Sequence, residues 1–96
     1  MTAISYKGSI CTGHGCHPPR PNLGGSTNVF VNGKEVHREG DPWDVHCCDG
    51  KNCHSSVLES ASSTIMANGL GVGRVGDPVA CGSAVAEGSS NVFAGG

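Results

Sequence analysis

"NVFVNGKEVHREGDP", residues 28–42, and "TIMANGLGVGRVGDP", residues 64–78, are two copies of one pattern. The Asn-Gly pair at 32–33 recurs at 68–69, and Gly-Asp-Pro at 40–42 recurs at 76–78. A truncated third copy closes the chain, because "GSSNVFAGG" at 88–96 matches "GSTNVFVNG" at 25–33. This self-similarity is an internal repeat. It predicts two full units, at about 25–42 and 61–78, and a partial unit at 88–96.

Each full copy predicts a β-hairpin. Asn-Gly is the strongest two-residue turn signal, because both positions tolerate positive φ. A turn at 32–33 pairs Val31 with Lys34, Phe30 with Glu35 and Val29 with Val36; the second copy pairs Ala67 with Leu70 and Ile65 with Val72. Gly-Asp-Pro then ends each hairpin, because proline cannot continue the ladder.

The segments between the copies predict loops and little helix. "HCCDGKNCH", residues 46–54, is expected to be a connecting loop, and "HPPRP", residues 17–21, to be extended or irregular. "SSVLESASS", residues 55–63, predicts a helical turn or two at most, because serines dilute it. The chain is therefore expected to be mostly β.

Composition limits the size of the core and the classes of partner. Ninety-six residues, with 16 Gly and 5 Pro, predict one small turn-rich domain over residues 1–96. So small a core usually needs a disulfide or a metal to stabilise it. The formal charge of −2 argues against binding nucleic acid by phosphate neutralisation. No apolar run approaches the roughly 18 residues of a membrane helix.

The six cysteines are expected to ligate metal rather than to form disulfides. "MTAISYKGSI" lacks the basic start and apolar stretch of a signal peptide, which predicts synthesis in the cytosol, where thiols stay reduced. Cysteines outside the metal site are expected to be free thiols that behave as small hydrophobes. This group contains Cys11, Cys16, Cys48 and Cys53.

Two ligand candidates follow the repeats at similar positions. His46 lies four residues after the first Gly-Asp-Pro and Cys81 three residues after the second, so both could converge near a common axis. His14 and His54 would complete a tetrahedral site that links distant segments. Whether Cys47 or Cys53 takes the place of His54, and whether His17 replaces one of these four ligands, stays open. His37 is expected at the surface, because the second copy has Gly73 there.

The repeats, with Gly-His before them and Cys-Gly after them, resemble the PAAR-repeat proteins, the spike-tip family of type VI secretion systems and contractile phage tails. The name motif Pro-Ala-Ala-Arg is degraded to Glu-Val-His-Arg at 35–38 and Gly-Val-Gly-Arg at 71–74. The resemblance implies a small cone of short hairpins in a pseudo-threefold arrangement, stapled by one metal near the vertex. Three histidines and one cysteine would hold it, which map to His14, His46, His54 and Cys81. Zinc is the expected ion, with iron as the alternative.

The function that this resemblance implies is structural. The chain would cap and sharpen a trimeric β-helical spike, one chain per trimer, and puncture the target membrane in transient contact with it. It would be made in the bacterial cytoplasm and act at the tip of a phage tail or secretion spike. A cargo effector is a further candidate partner, although the third copy closes the chain at Gly96 and we expect no fused toxin domain. The alternative is a small zinc-binding hydrolase or a zinc-binding interaction module, which would need an open metal position.

Overall fold

The computed structural model describes residues 2–95, which form four antiparallel pairs of short strands and no helix. The strands are β1 Thr2–Ala3, β2 Phe30–Val31, β3 Lys34–Glu35, β4 Pro42–Cys48, β5 Lys51–Val57, β6 Met66–Ala67, β7 Leu70–Gly71 and β8 Phe93–Ala94. β1 pairs with β8, β2 with β3, β4 with β5, and β6 with β7. The mostly β class predicted from the sequence is confirmed. Within these residues no helix is long and apolar enough to cross a membrane.

The two repeat hairpins have the predicted register. Phe30 pairs with Glu35 in the first hairpin, and Met66 pairs with Gly71 in the second. Both turn positions are left-handed in each hairpin, since Asn32 has φ 51° and Asn68 has φ 56°, each followed by a glycine of positive φ. The Asn-Gly signal therefore decided both hairpins through backbone conformation alone.

The third, truncated copy is completed by the start of the chain. β8 pairs with β1 so that Phe93 lies opposite Ala3, and the Ile4 amide donates to the Val92 carbonyl at 3.0 Å. The same bond closes the other two hairpins, from Val36 to Val29 and from Val72 to Ile65, each at 3.0 Å. The structure therefore contains three equivalent strand pairs, where sequence comparison alone predicts two and a fragment. We refer to all three as hairpins, although β1 and β8 are not joined by a turn.

A closed ring of backbone hydrogen bonds joins the three copies at their centre. Ser5 donates to the Gly73 carbonyl at 2.7 Å, Gly73 to that of His37 at 2.7 Å, and His37 to that of Ser5 at 3.3 Å. All three residues are buried. This cycle marks a pseudo-threefold axis, and each copy supplies one donor and one acceptor to it.

Serine side chains cap the three copies in the same way. The hydroxyl oxygens of Ser26, Ser62 and Ser89 each accept two backbone N–H bonds, from the second and third residues that follow, at 2.9–3.2 Å. All three serines are buried. Such local side-chain bonds satisfy amides that no strand partner reaches.

The repeated Arg-x-Gly-Asp motif forms one ion pair in each full copy. Arg38 holds Asp41 through two side-chain bonds of 3.0 Å, and Arg74 holds Asp77 through bonds of 3.0 and 2.9 Å. These hydrogen bonds to the carboxylates raise the pKa of both arginines. Each guanidinium also reaches the neighbouring copy, since Arg38 donates to Asn68 at 3.2 Å. This double contact accounts for an arginine in both copies.

Two apolar clusters lie on either side of the ring. The hairpins enclose the lower cluster, and the segments that leave the ring towards the other end enclose the upper cluster. The lower one contains Ile4, Val31, Val36, Ala67, Val72 and Ala94; the upper one contains Cys11, Trp43, Leu58, Val79 and Val85. The molecule is elongated, with extents of 36 × 24 × 21 Å.

Two segments expected to be irregular or helical are instead one long hairpin. "HCCDGKNCH" lies within β4, β5 and their turn, so the prediction of a connecting loop is wrong. Asp49-Gly50 is the turn, with φ values of 51° and 73°. Asp-Gly is a strong hairpin signal that decides this structure. The first repeat hairpin ends before Gly-Asp-Pro, as predicted, and Pro42 begins β4 of a separate sheet. Residues 55–57 belong to β5, so the predicted helical turn does not form there.

The prediction that His37 lies at the surface is also wrong. Its side chain is fully buried, and Nδ1–H donates to the Gly24 carbonyl at 2.8 Å. Burial lowers the pKa of His37, against the opposing effect of this hydrogen bond. Gly73, at the equivalent position, leaves the space that the imidazole needs: a Cβ there would lie 3.3 Å from His37 Cδ2 and 2.8 Å from Leu58 Cδ2.

We predict that Gly73→Ala destabilises the chain by about 1–3 kcal/mol, because the new methyl overpacks the ring between His37 and Leu58. In a domain of this size, that loss lowers the melting temperature by roughly 4–8 °C per kcal/mol. Glu39→Ala, at an exposed side chain in a neighbouring turn, is the control. Equal melting temperatures for the two variants would contradict the tight packing at the ring.

Candidate metal centre

Three excursions of the chain leave the ring on the side of the upper cluster. Each starts at one bridge of paired backbone: Ile10 with Pro21, Pro42 with Val57, and Pro78 with Ala84. The first is an irregular loop, the second is the long β4–β5 hairpin, and the third is a tight turn. The three excursions therefore start at equivalent backbone bridges and differ in length.

The excursions bring together the four residues that sequence analysis named. His14 comes from the loop, His46 and His54 from opposite strands of the hairpin, and Cys81 from the tight turn; their ligand atoms all lie within 4.8 Å of one another. His46 and His54 are directly paired across the ladder, which places both imidazoles on one face. Cys81 packs against the upper apolar cluster.

The imidazole nitrogens converge on one point. Nε2 of His14 lies 3.1 Å from Nε2 of His46 and 3.0 Å from that of His54, while the last two are 2.6 Å apart. Cys81 Sγ lies 3.8 Å from His46 Nε2. Each neutral imidazole has one donor and one acceptor nitrogen, so three Nε2 atoms cannot all bond one another.

A metal ion fits these separations. Zinc with nitrogen ligands at about 2.0–2.1 Å in a tetrahedron spaces those nitrogens by about 3.4 Å. The two spacings from His14 are close to this value, and the His46–His54 spacing is shorter. The Cys81–His46 spacing likewise suits a thiolate and an imidazole on one ion. The group is thus a three-histidine, one-cysteine cluster that could hold a metal.

A backbone carbonyl sets the tautomer of His46. Its Nδ1–H donates to the Pro18 carbonyl at 2.9 Å. This bond keeps the proton on Nδ1 and leaves the Nε2 lone pair free to bind an ion. Pro18 lies in "HPPRP", so the proline segment supports the cluster without supplying a ligand.

The electrostatics keep two of the histidines neutral. Partial burial, and then the neighbouring imidazoles of His17 and His46, lower the pKa of His14. Partial burial, followed by His46, His17 and His14, lowers the pKa of His54. Neutral imidazole is the form that ligates a metal.

His17 lies beside the cluster and points elsewhere. Its ring stacks on His14 with centroids 4.6 Å apart, but its Nε2–H donates to the Asn52 carbonyl at 2.8 Å. That bond also ties the loop to the hairpin.

Four of the six cysteines form disulfides, which corrects the expectation of free thiols. Cys16 is bonded to Cys48, and Cys47 to Cys53. Cys47 and Cys53 therefore do not take the place of His54 in this structure. Cys11 is free and buried, as expected of a small hydrophobe.

No carboxylate joins the cluster among residues 2–95. Asp49 lies in the hairpin turn with φ 51°, and Asp44 accepts a bond from the Val45 amide at 2.8 Å. Both are local backbone roles. The arrangement therefore offers four protein ligands and, among the described residues, no carboxylate in the cluster.

A sequence model of the PAAR motif matches residues 12–87, which include all four cluster residues. This chain belongs to the PAAR motif family. The PAAR chain is also similar to two Pseudomonas aeruginosa proteins, the NAD(P)(+) glycohydrolase toxin Tse6 and the (p)ppApp synthetase toxin Tas1. Each is 31% identical over 87 residues, covering 81% of this chain. The chain spans about a fifth of the length of each relative, at 20%.

We predict that His46→Ala and Cys81→Ala both abolish stoichiometric metal binding and destabilise the PAAR chain by several kcal/mol, because binding free energy is also folding free energy. His17→Ala is the control for a neighbouring imidazole that is not a ligand: it should keep stoichiometric metal, although it loses the Asn52 bond that ties the loop to the hairpin. Elemental analysis and melting temperatures of the three variants test this. Metal loss in His17→Ala alone would contradict the assignment.

Acid should release the metal, because protons compete for the imidazole nitrogens. The lowered pKa values of His14 and His54 mean that protons displace an ion from these two imidazoles only below pH 6.5, the ordinary histidine pKa. In the metal-free chain the same shifts remove stability as pH falls through 6.5, because the unfolded chain takes up protons first. Metal occupancy and melting temperature measured from pH 8 to pH 4 test both statements; an occupancy that rises with acidity would overturn them.

Proposed function

We propose that this PAAR chain is a non-enzymatic tip that caps and sharpens the trimeric β-helical spike of a contractile injection machine. The observation that carries the proposal is the pseudo-threefold end of the molecule. Three hairpins of equivalent register surround one axis there, and the metal cluster lies beyond the ring on the other side. A single chain with three equivalent surfaces matches a target built from three identical subunits.

The hairpin end presents apolar side chains at equivalent positions. Phe30, Met66 and Phe93 each occupy the first residue of their strand and are 56%, 52% and 48% exposed. The next residue of each strand, Val31, Ala67 or Ala94, is buried. The period-2 alternation of a strand therefore divides core from surface. An exposed apolar set repeated around an axis is suited to binding a partner.

The partner supported by this surface is the blunt end of a β-helix. Such an end leaves unpaired strand edges, which a cap made of short hairpins can cover. One chain per trimer follows from the axis, because each copy would meet one spike subunit. The three contacts would be similar but unequal, since the exposed residues are two phenylalanines and one methionine.

The metal would serve as a staple at the vertex. His14, His46, His54 and Cys81 would hold one ion, zinc by the preference for nitrogen and sulfur ligands in a tetrahedron, with iron as the alternative. An ion held this way supplies rigidity and no chemistry. The tip would then resist deformation as a contracting sheath drives it through the target envelope, in transient contact with the membrane.

A hydrolase is less well supported by the same site. A catalytic zinc needs an open position and usually a nearby carboxylate. Here four protein ligands converge, and Asp44 and Asp49 have backbone roles. The module supplies no enzymatic groups of its own, so in toxins such as Tse6 the activity would reside in the other four-fifths of the chain.

The toxin names of the relatives support a role in delivery. We propose that a cargo effector, joined to the PAAR module or carried beside it, travels with the tip. The chain would be made in the bacterial cytoplasm and act at the end of a secretion spike or phage tail.

One copy of the chain should bind one spike trimer. Native mass spectrometry of the chain mixed with a trimeric spike fragment measures this ratio; three chains per trimer would refute the tip geometry.

Phe30→Asp, Met66→Asp and Phe93→Asp should each weaken spike binding by about tenfold or more, and by similar factors, because each places a charge in an equivalent apolar contact. Val45→Asp is the matched control: Val45 is 47% exposed but lies on β4, beyond the ring. Dissociation constants for the four variants decide the matter. Loss of binding only in Val45→Asp would place the interface at the metal end.

A further inference from the structure

Beside the metal cluster, few hydrogen bonds join the segment that carries His14 to the segment that carries His46 and His54. His14 lies on the loop between Ile10 and Pro21, whereas His46 and His54 lie on the β4–β5 hairpin. At its outer end the loop reaches the hairpin through two side-chain bonds, His17 to the Asn52 carbonyl and His46 to the Pro18 carbonyl.

One covalent bond crosses the same gap. The Cys16–Cys48 disulfide joins the loop, two residues after His14, to the end of β4, two residues after His46. It links residues 32 apart in sequence, so it restrains a long segment. The loop has a His14–His17 backbone pair near its tip, at 3.0 and 2.8 Å, and its Thr12 amide donates to the Ala84 carbonyl of the tight turn at 2.8 Å, so these bonds leave the gap to the hairpin tip uncrossed.

The second disulfide does not have this role. Cys47–Cys53 joins two strands that are already paired, one residue away from the His46–His54 pair. Its cysteines are six residues apart, and the Asp49-Gly50 turn closes the same hairpin without it. The ladder would therefore keep His46 and His54 together if this bond opened.

We propose that Cys16 and Cys48 are positioning residues for the metal centre and that their disulfide is a redox switch. When the disulfide is closed, it holds His14 against the hairpin and the ion is bound tightly. When it is open, the ion is released faster. This inference rests on the proposed metal centre and goes beyond it. Cys16 is exposed and Cys48 half-buried, so small reductants reach the bond.

The chemistry of the switch is thiol–disulfide exchange. Opening needs two electrons from a reductant, such as a low-molecular-weight thiol pair that becomes a disulfide, and yields two cysteine thiols. Closing returns two electrons to a small disulfide or another thiol oxidant and releases two protons. A chain synthesised among reduced thiols would thus bind the metal most tightly only after oxidation.

The test measures the rate of metal release from the full chain to an excess of a colorimetric chelator. The reductant is a water-soluble trialkylphosphine, which adds no competing thiol. The phosphine attacks one sulfur, the other leaves as a thiolate, and water converts the adduct to phosphine oxide and the second thiol. Thiol alkylation followed by peptide mass spectrometry reports which bond has opened.

Two double variants separate the disulfides. Cys16→Ser with Cys48→Ser should release metal at least about tenfold faster than the oxidised wild type, with or without phosphine. Cys47→Ser with Cys53→Ser should release it slowly until phosphine is added, and then as fast as the first variant. Wild-type rates in the first variant, or equal acceleration in both without phosphine, would overturn the proposal.

Two further readouts keep the test decisive. Should the Cys16→Ser/Cys48→Ser chain fail to fold, a phosphine titration of the wild type replaces it: release must follow the opening of Cys16–Cys48, and release that follows only Cys47–Cys53 would refute the switch. The oxidised wild type must first contain stoichiometric metal. Its absence would overturn the metal centre and the switch together, whereas bound metal with no redox dependence would overturn the switch alone.

Discussion

The cycle of three backbone hydrogen bonds among Ser5, His37 and Gly73 is the constraint on which the rest of the molecule depends. Each residue donates to one neighbouring copy and accepts from the other, so no copy can move without breaking two bonds. The ring also demands that three different side chains share one small volume at the axis. An imidazole, a hydroxymethyl group and a hydrogen meet that demand, which explains why the copies diverge at this position while their hairpins stay alike.

The ring separates a symmetric end from an asymmetric one. Below it, short hairpins with the same closing bond present similar surfaces around the axis. Above it, the three excursions differ in length and carry one, two and one of the cluster residues. The excursions can differ in length without disturbing the ring, because each one starts and ends at a single backbone bridge. A single chain can therefore offer threefold contacts at one end and taper to one point at the other.

Polar contacts supply much of the specificity in a chain with so thin a core. The capping serines and the Arg–Asp pairs satisfy backbone and charged groups within each copy, and the buried Asn22 donates to the carbonyls of Tyr6 and Ser9 in an earlier segment. Buried polar groups are costly unless bonded, so a misplaced copy would leave several of them unsatisfied. At the vertex the same task falls to two disulfides and to the four-residue cluster that could hold a metal. Covalent links are thus concentrated at the metal-cluster end of the molecule.

The sequence by itself determined the elements whose cause is local. Asn32-Gly33 and Asn68-Gly69 decided two hairpins and their register, and the spacing after Gly-Asp-Pro singled out His46 and Cys81. Asp49-Gly50 carried an equally local signal that the cysteine-rich surroundings obscured. Only the tertiary structure decided the features that join distant segments. These are the completion of the third hairpin by Thr2–Ala3, the burial of His37 opposite Gly73, and the pairing of Cys16 with Cys48. Turn conformation is a property of two residues, whereas these contacts depend on closure of the ring, which no single segment encodes.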